Sequence, residues 1–172
     1  MKVALQNYLK GIDIDEFVAN VKNRSKFEEI LVHLGLDQNS SINQFVEHLL
    51  YESKMLLNQE KRKEATIILR ATKPLLSLVP KYLSAFFYLT LTDSFLLAND
   101  YEGANKSVNR ASSITKELND PRLEVRVLNM MFVINRSSGK EKAEEYLRNN
   151  IDYKELFEKI TKYLENTFFS GK

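Results

Sequence analysis

Cysteine is absent from the 172 residues, which excludes disulfides, thiolate metal sites and thiol nucleophiles together and suits a reducing compartment. Glycine and proline are scarce, at five and three residues, so the chain lacks the turn-makers that a strand-rich fold with many short connections requires. Long apolar runs are missing as well. At the start of the chain Gln6, Asn7 and Lys10 interrupt any stretch that could serve as a signal-peptide core, and no segment reaches the length of a membrane-spanning helix. Nor does one sign of charge dominate: 25 basic residues face 23 acidic ones, and a net charge of +2 supplies no field to attract a polyanion. These absences predict a helical, cytoplasmic protein whose partner is neither nucleic acid nor a membrane.

Catalytic and metal-binding patterns are equally sparse. The two histidines, His33 and His48, do not form a His-x-x-x-His or His-Glu-x-x-His spacing that would set two ligands on one helical face. Acidic pairs such as Glu28-Glu29 and Glu144-Glu145 stand beside Lys and Arg, as solvated helix faces do, and no glycine-rich phosphate loop occurs. The expectation is therefore no enzyme, no cofactor and no metal. The best basic clusters are Lys61-Arg62-Lys63 and the pair Arg122 and Arg126; both are short and diluted by Glu60, Glu64 and Glu124. Four Asn-x-Ser sequons, at Asn23, Asn39, Asn105 and Asn135, read as chance in a chain without a secretion signal.

What the chain does contain is a mixture typical of a globular protein, 44% hydrophobic and 28% charged, at a length suited to a single domain over 1–172. It also contains a repeat. Ala65, Ala104 and Ala143 lie 39 residues apart in both intervals, and their surroundings keep the same register. Leu56, Phe95 and Ile134 precede them by nine; Leu69, Val108 and Leu147 follow by four; Leu49, Tyr88 and Val127 precede by sixteen. A small residue recurring among large apolar ones suits stacked helical hairpins, because Ala permits close helix approach while its neighbours fill the interface.

Punctuation follows the same phase. Pro80 and Asp120-Pro121 open the first helices of the second and third units, with proline at the first helical position. Ser41 with Gln44 gives the entry signal of the first unit, Ser138 with Glu141 offers a capping box in the third, and Asn58-Gln59 and Asn99-Asp100 mark turns inside the first and second units. Helices are predicted over 42–57, 60–78, 80–98, 101–118, 121–136 and 139–149, with Pro74 bending or breaking the second. These group as repeats over 42–79, 80–120 and 121–150. Beyond them Ile151-Asp152-Tyr153-Lys154-Glu155-Leu156 combines a capping box with a hydrophobic staple and launches a capping helix over 152–169. Residues 1–36 read as an N-terminal cap of two short helices, Ile14 to Val21 and Phe27 to Leu34, ended by Gly35. A further unit is weakly outlined there, with Lys26 where the small Ala belongs.

The turn Asn99-Asp100-Tyr101-Glu102-Gly103-Ala104, with Tyr88, Phe95 and Ala111 around it, resembles a tetratricopeptide repeat. The outer units match less closely: Lys61-Arg62 and Thr72 stand at the signature sites of the first, Ser138-Gly139-Lys140 and Asn150 at those of the third. The period of 39 exceeds the common 34, which implies lengthened second helices. Three such repeats in a chain of this size are also similar to small secretion chaperones, at the level of fold alone. The resemblance implies an all-α, right-handed superhelix of about three hairpins, with the first helix of each unit lining a concave groove. The groove residues it implies are Glu47, Lys54 and Asn58; Phe86, Asp93 and Leu97; and Val125, Phe132, Asn135 and Arg136.

Such a mixture of apolar and polar side chains suits a peptide or protein segment, so the expected function is an adaptor or chaperone-like interaction module. A clamp for a terminal carboxylate is not carried over, because Leu50 and Leu89 occupy two inward sites. The alternative is a structural or homo-oligomerising subunit, with the aromatic pair Phe168-Phe169 sealing a homodimer. A regulator's sensor domain ranks lower, since residues 1–36 show no DNA-recognition helix pair.

Overall fold

The computed structural model describes residues 5–137, 155 and 158–162. Within them every regular element is a helix and no strand occurs. The expectations placed on Ala143, Leu147, the capping box of Ser138 and Glu141, the helix over 139–149, the staple after Ile151, and Phe168-Phe169 lie outside the described residues. Glu155 and residues 158–162 are helical.

Three helices precede the region of the alanine repeat: α1 (Leu5–Leu9), α2 (Ile14–Lys22) and α3 (Arg24–His33). The sequence pattern gives no sign of α1, which packs on α5 (Arg62–Thr72) and buries Leu5 and Leu9. A five-residue helix carries too little periodicity to be read from sequence. Helices α2 and α3 pair with each other and end at Gly35, whose left-handed φ of 68° favours glycine. Phe17 and Phe27 both pack their rings against Phe45 of α4 (Ile42–Asn58), so the N-terminal segment shares one core with α4 and α5. Lys26, at the site where a small residue would be needed, is exposed and paired with Glu29.

Helix α4 begins at the expected entry signal, which forms a capping box. The Gln44 amide donates to Ser41 Oγ at 3.3 Å, and the Ser41 amide donates to Gln44 Oε1 at 2.8 Å. Phe45, Leu49, Leu56 and their helical neighbours form its buried stripe. The chain reverses at Glu60, a non-glycine residue with φ 59°, and enters α5, where Ala65 is fully buried. Helix α5 stops at Thr72, ahead of Pro74, and a 3₁₀ segment over Lys73–Leu78 replaces the continuous helix. Val79 is extended, as the residue before a proline tends to be, and Pro80 sits just outside α6 (Lys81–Leu96) instead of at its first position.

Apolar residues occur on every side of helix α6 because it is central: it touches α4, α5, α8 (Pro121–Ser137) and, most extensively, α7 (Tyr101–Leu118). Its buried hydroxyls are satisfied within the helix, with Thr90 donating to Phe86 O and Thr92 to Tyr88 O. Asn99 takes a left-handed φ of 55°, and Asp100 caps α7 by accepting from the Gly103 amide at 2.8 Å. Gly103 has no room for a side chain: a Cβ there would lie 2.7 Å from the Phe95 ring. Ala104, the next residue, is fully buried, and α7 ends at left-handed Asn119, after which Pro121 opens α8 at the expected place. The result is a row of alternate helices, α4 beside α6 beside α8, with α5 packed on α4 and α7 on α6.

Candidate functional site

Three helices that are not consecutive in the chain build one groove. It has a volume of about 480 Å³ and is walled by α4 and α8 with α6 as its floor. Side chains reach it because the exposed edge of each helix repeats every three or four residues: Glu47, Leu50, Tyr51 and Lys54 on α4; Tyr82, Phe86 and Asp93 on α6; Arg126, Asn129 and Met130 on α8. The floor is largely apolar, with Leu89 nearly fully buried in it and Leu50 nearly fully buried on the α4 wall.

Polar contacts fix the walls. The Tyr82 hydroxyl donates to Glu47 Oε1 at 2.7 Å, tying α6 to α4 at one end of the groove. That hydrogen bond holds the Tyr82 phenol above its ordinary range, with burial and the nearby carboxylate charge adding to the effect. The Tyr82 and Phe86 rings meet edge to face at 6.4 Å, and the Arg126 guanidinium lies 5.0 Å over the Phe86 ring, a cation–π contact that draws α8 to α6. Two turns further along, Lys54 Nζ meets Asp93 Oδ2 at 2.5 Å. A smaller adjoining hollow continues past this pair and is lined by Asn58, Leu96 and Leu97, the last 44% exposed.

Of the residues expected in the groove, Glu47, Lys54, Phe86 and Asp93 come together in the main channel, and Asn58 and Leu97 in its extension. Val125, Phe132, Asn135 and Arg136 line neither. Val125 is exposed elsewhere on α8, Phe132 is half-buried, Arg136 is exposed, and Asn135 is buried with Nδ2 donating to Met131 O on its own helix. On α8 the groove-facing set is Arg126, Asn129 and Met130, beginning one residue after Val125. A step of one residue turns a helix surface by about 100°. The two connections differ, a 3₁₀ segment before α6 and a two-residue link before α8, so the alanine register need not fix the rotation of α8. Tyr51, Tyr82 and Met130 are not singled out by the sequence pattern, although each lies four residues from Glu47, Phe86 or Arg126, the spacing that shares a helix face.

The basic clusters are partly engaged in the fold itself. Arg62 donates from Nε to Ser94 O, Arg122 pairs with Asp120, and Arg126 is turned to the groove. His33 rests its ring against Tyr8. Among the described residues no group of three His, Asp or Glu side chains is placed to hold a metal ion, and no helix is long and apolar enough to cross a membrane. Among the described residues the groove's inventory is thus hydrogen bonds, one ion pair, a cation–π contact and apolar surface. In comparison with known proteins, the chain matches no family model, no curated protein and no solved structure.

Proposed function

We propose that this chain is a protein-interaction module of tetratricopeptide-like build, an adaptor or chaperone-like protein of the cytoplasm, whose groove between α4, α6 and α8 grips a segment of another polypeptide. In this reading the hairpins α4/α5 and α6/α7, with α8 opening a third, curve as a right-handed superhelix, and the chain carries no catalytic activity. The observation that carries it is the channel itself. An apolar floor edged by a few fixed polar groups is what peptide recognition needs, because apolar side chains supply affinity while rim groups set register. Separate helices supply the two walls, so a bound segment would touch several units at once.

The test is selection of a displayed random-peptide library on the full chain, followed by chemical-shift mapping with the captured peptides. Shifts concentrated at Leu50, Phe86 and Met130, with capture lost in Tyr51→Glu, are the expected result. Tyr51 is 61% exposed, so that variant should fold normally. No capture, or shifts confined to another surface, overturns the reading. Self-association is the second reading. Val125 and Val133 favour it, since both are exposed on one side of α8. Light scattering across concentrations tests it, because a chain that stays monomeric overturns self-association, whereas an oligomer lost in Val125→Asp with Val133→Asp supports it.

A further inference from the structure

Helix α8 turns a second surface to solvent beside the edge that lines the groove. From Arg122 to Arg136 its exposed residues are Arg122, Val125, Arg126, Asn129, Val133 and Arg136. Their steps of three, four and seven put them on one face of the helix, about 21 Å long by the helical rise. The face is cationic and carries no acid of its own. Glu124, the one carboxylate of α8, lies off it, half-buried and approached by Lys159 Nζ at 3.7 Å. Arg122 is paired with Asp120, whereas Arg126 and Arg136 have no carboxylate in ion-pair contact among the described residues. Val125 and Val133 stand between these arginines, 40% and 36% exposed.

Each part of that composition narrows the partner. All three cations are arginines, whose planar guanidinium pairs with a carboxylate through two hydrogen bonds and is more weakly hydrated than an ammonium. Arginine set among apolar side chains is the make-up of an interface, from which lysine is depleted. A polynucleotide would engage the arginines and leave both valines uncovered. A second copy docked about a two-fold axis would set the three arginines of one face against the same three of the other. From this charge complementarity, and from the valines between the charges, we infer that the exposed face of α8 docks an acidic, apolar segment of another protein. Its carboxylates meet Arg126 and Arg136, and its aliphatic or aromatic side chains cover Val125 and Val133. The face shares Arg126 and Asn129 with the groove wall, but Val125, Val133 and Arg136 line neither hollow. The inference therefore goes beyond the groove reading and stands whether or not the groove is filled.

Displayed peptides about 16 residues long, enough to cover the face in extended or helical form, test it. One set mixes Asp and Glu with Leu, Val and Phe in random order. Three comparison sets replace the acids by Lys, the acids by Ser, or the apolar residues by Ser, and a mixed-sequence single-stranded RNA is the polyanion arm. Binding is measured on the full chain, and thermal melting checks that each variant folds. The acidic, apolar set should bind about tenfold tighter than any comparison set or the RNA. Val125→Asp and Arg136→Glu should each weaken it about tenfold. Arg70→Glu, at an exposed position on α5, and Tyr51→Glu, in the groove, should leave it unchanged. Equal binding of the RNA or of the acidic set without apolar residues, or an equal loss in Arg70→Glu, would reveal a general attraction for polyanions and overturn the inference. Loss in Tyr51→Glu with Arg136→Glu unaffected would put the peptide in the groove, which overturns the inference and leaves the groove reading. No binding of the acidic, apolar set overturns it too, as does a dimer that Val125→Asp dissolves. A groove that captures no peptide, with the α8 variants behaving as expected, sinks the groove reading alone.

Discussion

Lys54 Nζ and Asp93 Oδ2 meet across α4 and α6 at 2.5 Å, although 39 residues separate them, the same interval that separates the repeated alanines. These two residues, one on each helix, are thus neighbours in space, and α4 and α6 lie side by side. The pair is half-exposed, so its contribution to stability is small. A double-mutant cycle with Lys54→Met and Asp93→Asn should return a coupling below about 1 kcal/mol in urea denaturation. Salt should shrink it further.

Gly103 lies in the first turn of α7, where alanine would ordinarily gain helix propensity of about 1 kcal/mol. Here the methyl group would lie 2.7 Å from both the Phe95 ring and the Asp100 carboxylate that caps the helix. Gly103→Ala should therefore lower stability by about 1–3 kcal/mol, measured as a shift in the denaturation midpoint. A stabilised variant would show that the ring and the cap move aside at little cost.

Much of this architecture was legible in the sequence because its signals are local. Ser41 with Gln44, the turn at Asn99-Asp100, and Pro121 act locally, and the helices that follow them lie where expected. The apolar period marked Leu49, Leu69 and Val108 as core. The candidate groove was legible on α4 and α6, where Glu47, Lys54, Phe86 and Asp93 gather. It was not legible on α8, because the rotation of a helix about its axis depends on packing and on the preceding connection. Arg126 stood out only as charge, and its position over Phe86 is a tertiary fact.

Tyr82 supplies a pH test. Its phenol is held above the ordinary value of 10.0, first by the hydrogen bond to Glu47 and then by burial. A group whose folded pKa is raised contributes stability that is complete below its unfolded value and is lost as pH climbs through the folded one. The loss should thus fall on the alkaline side, above about pH 10. Spectrophotometric titration should show Tyr82 and Tyr8 ionising late in wild type, with Tyr82 shifted back toward its ordinary pH in Glu47→Gln and Tyr8 unchanged. Tyr82→Phe should abolish that part of the alkaline stability slope.

Thr115 in α7 is 2% exposed, and its hydroxyl makes no hydrogen bond among the described residues. A buried polar atom without a partner is costly, whereas an apolar group of the same shape is not. Thr115→Val should raise stability by about 1 kcal/mol, read as a higher melting temperature. A drop of similar size would mean that the hydroxyl is satisfied in solution.

The alanines themselves permit the most direct test of the packing that sets the groove's walls. Ala65 and Ala104 are both fully buried on second helices, α5 and α7, where they lie against the hairpin partners α4 and α6. If their small size is what allows those helices to approach, a larger side chain must force the axes apart, because the surrounding core has no slack. Ala65→Leu and Ala104→Leu should each cost about 1–3 kcal/mol. Ala98→Leu, at an exposed position in the turn, should cost almost nothing. The two buried variants should also weaken capture of any groove ligand, since α4 and α6 carry the wall and the floor. Stability and binding that both survive at Ala65 and Ala104 would show that the spacing of the alanines reflects helical composition and not close packing.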